Sequence, residues 1–166
     1  MLTKWNKRHL ALAQMVATWS KDPRTKVGCV LVGANPRDVT FGYNGFPPGI
    51  ADTTERLADR EHKNMLTQHA ERNALDNARF DTRGGTIVTT RFPCHECAKS
   101  MVSKGIGTLI TPRPPTDPVW SQSSHVASML FHEANILVVY YDSPEEEHKR
   151  AIRSGQITGA DQDSID

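Results

Sequence analysis

A chain of 166 residues, 37% hydrophobic and 23% charged, is long enough to bury about two thirds of its unfolded surface in one domain, and its composition excludes the disordered and membrane-spanning classes. The 20 basic residues are scattered among 19 acidic ones for a net charge of +1, which argues against a long polynucleotide partner but leaves room for a single nucleotide. With no apolar span of membrane length and no leader-like opening segment, the expectation is a cytoplasmic protein with no membrane partner.

Leu2, Trp5, His9, Leu12, Val16 and Trp19 recur at intervals of three and four, predicting one face of a first helix that ends near Ser20. The apolar runs 26–33 and 39–45 read as two short strands joined by the turn residues Ala34 to Asp38. Residues 52–64 are charged and read as part loop, part helix. A further helix carries Ala70, Ala74, Leu75 and Ala78 and stops before Gly84 and Gly85. The strand 86–90 leads into 91–105, where Pro93 suits a first helical position and Gly105 the position just past the end. A fourth strand over 107–111 precedes a proline-rich loop, 112–124, then a helix with Val126, Met129, Leu130 and Ala134 as its apolar set, and a strand over 136–141. From Asp142 the chain is polar and charged, with a helical turn or two expected over 143–152. The expected organisation is one domain over 1–141 followed by a charged tail over 142–166.

This alternation of helices and strands implies an α/β fold with a central, largely parallel sheet covered on both faces. Ligands of such sheets collect at the carboxyl ends of strands, where helices begin. Both Cys94 and Cys97, and also His69, fall at helix starts.

The cysteines are Cys29, Cys94 and Cys97, too few and odd in number for a disulfide framework, so the Cys-x-x-Cys pair reads as metal-binding or redox-active. Cys29 sits in an apolar run and reads as a buried small side chain. Cys94 and Cys97 are spaced to present both sulfurs to one side of a helix start, where the helix dipole favours thiolates. His69 supplies a third zinc ligand, and no fourth stands nearby in sequence, because His95 adjoins Cys94 and points away. Three ligands leave a position open, the mark of a catalytic rather than a structural zinc. Glu71, two residues beyond His69, is then the proton carrier. His-x-Glu at 69–71 followed by Pro-Cys-x-x-Cys at 93–97 is the signature of zinc-dependent nucleobase deaminases, which exchange a ring amine for a carbonyl.

The segments 20–32, "GYNGFPPG" at 42–49, "HAERNAL" at 69–75 and "FPCHECAKSMVSKGI" at 92–106 together resemble the deoxycytidylate deaminase family of the cytidine deaminase fold. The resemblance implies a three-layer α-β-α sandwich around a five-stranded mixed sheet, one catalytic Zn2+, and conversion of dCMP to dUMP and ammonia. It also implies a homo-oligomer, a hexamer foremost, with activation by dCTP and inhibition by dTTP near residues 42–45. Carried onto this chain, Asn44 and Ala70 become substrate contacts, with Arg24 and Lys26 the candidates for the phosphate. Asn44 has a plainer reading, as a turn residue of positive φ before Gly45. Phe46 is a candidate substrate or effector contact. Beyond residue 111 the likeness weakens, and Arg113 and Trp120 are the candidates there for contacts to base or phosphate. His62, His125, His132 and His148 form no apparent cluster with Cys29 and read as surface or packing residues. The rival reading is a polynucleotide deaminase, acting on tRNA adenosine or single-stranded DNA cytosine, which the charge balance disfavours.

Overall fold

The computed structural model describes residues 2–142; the expected helical turns of the tail, and His148, lie outside the described residues. Helix α1 (Lys4–Ala17) starts at Thr3, whose hydroxyl accepts the Asn6 amide, and presses Leu12, Ala13 and Val16 toward the sheet. Its first turns do not reach the core: Trp5 is exposed, beside His9 and under the Arg8 guanidinium.

The strands are β1 (Gly28–Val32), β2 (Val39–Tyr43), β3 (Thr86–Thr89), β4 (Thr108–Pro112) and β5 (Leu137–Tyr141), in the spatial order β2-β1-β3-β4-β5. Strand β1 runs antiparallel to both β2 and β3, while β3, β4 and β5 are parallel. The sheet is therefore mixed, and parallel in only half of its pairings. A tight turn, closed by the Gly33 amide on the Asp38 carbonyl, forces β1 and β2 antiparallel, whereas helical crossovers join the parallel strands.

Between β2 and β3 lie α2 (Thr54–Ala58), α3 (Arg60–Leu66) and α4 (Ala70–Asn77). Asp59 ends α2 and caps α3, accepting the amides of Glu61 and His62. Helix α5 (His95–Ser103) links β3 to β4, and α6 (Pro118–Glu133) links β4 to β5. Two boundaries depart from the sequence expectation. Pro93 lies outside α5, because Cys94, in extended conformation, is its N-cap. Helix α6 begins inside the expected loop 112–124: Asp117 caps it by accepting the Val119 amide, and Pro118, needing no amide partner, takes the first turn.

Helix α1 covers one face of the sheet, and α4, α5 and α6 cover the other, so β1 is buried along its whole length. The main core lies on the second face, with Leu31, Ile87, Leu109, Met101 and Phe131 fully buried. Two glycines permit this closeness. A Cβ on Gly28 would fall 1.9 Å from the Ala13 carbonyl oxygen of α1, and one on Gly42 would fall 2.5 Å from both the Ala70 carbonyl oxygen and the Ala74 amide of α4. Close seating of α4 on β2 brings the start of α4 beside the start of α5.

Candidate metal centre

His69 is the N-cap of α4 and uses no side-chain atom to cap it, which frees the imidazole to face outward from the helix end. Cys94 occupies the equivalent position on α5, and Cys97 lies in that helix's first turn. The His69 Nδ1 atom is 3.4 Å from Cys94 Sγ and 3.3 Å from Cys97 Sγ, and the three ligand atoms lie within 4.8 Å of one another. A tetrahedral zinc with ordinary Zn–S and Zn–N bonds spaces such atoms about 3.5 Å apart, so the cluster has the size the ion needs. Among the described residues this cluster contains no fourth ligand. The neighbouring His95 turns to α6, its backbone amide and Nδ1 both meeting Ser123 Oγ.

The acid–base character of the donors fits the same ion. Hydrogen bonding from the Cys97 thiol, helped by His69, holds Cys94 down to about 3. Cys97 moves the other way, pushed far up by its bond to the Cys94 thiolate, by burial and by nearby Glu71. Two adjacent thiolates beside a carboxylate repel one another, and a dication between them removes that repulsion. Burial also raises Glu71, with the charge of His69 working against it. Glu71 is 3% exposed; Thr89 Oγ1 on β3 donates to its Oε1 at 3.5 Å, and its Oε2 is 3.6 Å from Cys97 Sγ. Cys29 is fully buried in the core below, burial raising its thiol, and among the described residues no ligand cluster includes it.

The centre forms the floor of a cleft of about 670 Å³, open solvent at its mouth included. Ala70 and Asn44 line it. The Asn44 side chain cross-links the loop before β1, its Oδ1 accepting the Val27 amide at 2.7 Å and its Nδ2 donating to the Thr25 carbonyl at 2.9 Å. Each of those groups retains one hydrogen-bonding site. Asn44 does not adopt positive φ, so the plain turn reading fails: it is the side chain's bonds to the loop that place this residue.

Arg24 and Lys26 do not line the cleft and are exposed. The cause is local, because the Asp22 carboxylate accepts the amides of Arg24 and Thr25 and curls the loop so that Asp22, Thr25 and Val27 face inward. Phe46 faces a neighbouring cavity with Trp19 and Tyr43. Arg113 is exposed over the Tyr140 ring, away from the cleft, while Trp120 is at the cleft wall. Sequence reading missed Asp22, Lys63, Thr89 and Arg91. The one available signal was the place of Arg91, three residues before Cys94.

Residues 3–112 match the family model described as the cytidine and deoxycytidylate deaminase zinc-binding region. A protein of Aliivibrio fischeri described as an uncharacterized deaminase in the luxG 3′ region is 37% identical over 142 residues, covering 84% of this chain and 95% of that one. Human deoxycytidylate deaminase is 35% identical over 115 residues, covering 64% of each chain. A "probable deoxycytidylate deaminase" of Caenorhabditis elegans is 39% identical over 108 residues, 62% of this chain and 54% of that one. The chain thus spans nearly all of the Aliivibrio relative but under two thirds of the human and nematode ones. In fold, the crystal structure of dCMP deaminase from the cyanophage S-TIM5 in complex with dCMP and dUMP superposes with a TM-score of 0.68 at 20% identity, over 85% of this chain and 99% of that one.

Proposed function

Because the chain belongs to the cytidine and deoxycytidylate deaminase zinc-binding family, we propose that it is a hydrolase converting dCMP to dUMP and ammonia, with His69, Cys94 and Cys97 as zinc ligands. The observation that carries this reading is the convergence of those three side chains, from two helix starts, beside the buried Glu71 carboxylate. A zinc ion bound by His69, Cys94 and Cys97 would supply a water made nucleophilic near neutral pH. Glu71 accepts a proton and passes it to the ring nitrogen as a C–O bond forms at the amine-bearing carbon. It then takes up the proton of the new hydroxyl group and delivers it to the amine, the C–N bond breaks, and ammonia leaves a carbonyl behind. Thr89 keeps the carboxylate aimed from beneath. Asn44, anchored by the 25–27 loop, and Ala70 line the wall where a deoxyribose and base are held.

The catalytic unit is residues 1–141, with 142–166 a charged tail, and the setting is the cytoplasm; among the described residues no helix is long and apolar enough to cross a membrane. Self-association is supported by an exposed apolar cluster, in which Trp19 packs edge-on against Phe41 and Tyr43. Control by dCTP and dTTP is supported by the second cavity, which contains Tyr43, Gly45 and Phe46.

The test is ammonia release by the zinc-loaded protein given dCMP, CMP, cytidine, deoxycytidine or 5-methyl-dCMP. Preference for dCMP is the expected result. Inactivity toward every monomer overturns the proposal.

A further inference from the structure

The cleft holds few charges, and most of them are already committed. Lys63 Nζ donates to Asp22 Oδ2 at 2.5 Å, with side chains only 4% and 7% exposed, so this pair presents no net charge. His69 and Cys94 belong to the metal centre, and Glu71 to proton transfer. Among the described residues, the remaining charged lining residue is Arg91. It is half-buried and, among the described residues, makes no ion pair.

Two features hold Arg91 at this wall. Its backbone carbonyl accepts Thr111 Oγ1 from β4, and its guanidinium carbon lies 5.1 Å from the centre of the Trp120 ring. That distance is within reach of a cation–π contact, and among the described residues no hydrogen bond or ion pair occupies the guanidinium N–H groups. Arg91 also stands on the short β3–α5 connection that delivers Cys94, so its distance from the reacting floor is set by few bonds. A permanent cation with planar, paired donors suits a phosphate more than any neutral group.

We propose that Arg91, seated on Trp120, binds the 5′-phosphate of the nucleotide and sets the preference for a nucleotide over the corresponding nucleoside. This rests on the dCMP reading. Trp120 is a positioning residue, acting through the guanidinium. The other candidates do not compete for the role, since Lys63 is neutralised and Arg24, Lys26 and Arg113 do not line the cleft.

The experiment compares kcat and KM for dCMP and for deoxycytidine in wild type, Arg91→Ala, Arg91→Lys, Trp120→Ala and Trp120→Phe, with zinc content and melting temperature confirming that each variant is folded. Loss of a charge-assisted bond raises KM for dCMP on the order of 10- to 100-fold in Arg91→Ala, so the ratio of dCMP to deoxycytidine efficiency falls by that factor. Arg91→Lys restores part of the ratio. Trp120→Ala lowers it less than Arg91→Ala, and Trp120→Phe keeps it. A wild type that prefers dCMP together with an Arg91→Ala variant of unchanged ratio overturns this inference and leaves the deaminase reading standing. A wild type inactive on dCMP overturns both.

Discussion

Lys63 and Asp22, 41 residues apart, form an ion pair of 2.5 Å that is almost wholly shielded from solvent and ties α3 to the loop before β1. Burial by itself pushes the Asp22 carboxyl up, but the hydrogen bonds from Lys63 and from the amides of Arg24 and Thr25 outweigh it and hold the group below its ordinary value of 3.8. Removing one partner strands a buried charge. We expect Lys63→Met to cost about 3–5 kcal/mol, and the double change Asp22→Asn with Lys63→Met to recover part of that loss, in urea denaturation at neutral pH. A single variant as stable as wild type contradicts this account.

The same pair makes stability depend on acidity. The folded-state value of Asp22 lies below the unfolded one, so between the two the unfolded chain takes up a proton that the folded chain refuses. The contribution is complete above pH 4 or so and is lost as pH falls through the folded value. Denaturation curves at pH 7, 5 and 3.5 are expected to show wild type losing more stability on acidification than the doubly neutral variant; parallel losses would count against the pair.

Glu71→Gln preserves the shape of the buried side chain and removes its capacity to carry a proton. We expect kcat to fall by about 10²- to 10⁴-fold, a typical contribution of general acid–base catalysis. Zinc content stays at the wild-type level, because Glu71 is not among the clustered ligands. Turnover that survives the change would place the proton carrier elsewhere.

Gly42 tests whether the centre depends on helix seating. A Cβ there meets the Ala70 and Ala74 backbone at 2.5 Å, and backbone has nowhere to give without shifting α4. Gly42→Ala is expected to cost about 1–3 kcal/mol, the usual range for overpacking. It should also weaken zinc retention against a chelator, since Ala70 directly follows His69. Unaltered melting and retention would show that α4 tolerates the displacement.

Short-range chemistry was legible in the sequence. His69, Glu71, Cys94 and Cys97 form motifs whose ligand types and spacing are confined to the first turns of two helices, and the alternation of strand and helix patterns placed those turns at one end of a sheet. Even the close of α5 could be read, since Gly105, at φ +68°, takes the left-handed position that lets Ile106 bond back to Met101. What lay beyond reach were relationships without local periodicity. The sheet's mixed direction, the burial of Lys63 against Asp22, the support of Glu71 by Thr89 and the meeting of Arg91 with Trp120 each join segments distant along the chain. A charged residue in a polar stretch carries the same local signature whether it faces water or a cleft. Only the packing of one element on another decides which, because the cost of burying that charge depends on a partner supplied from elsewhere in the fold.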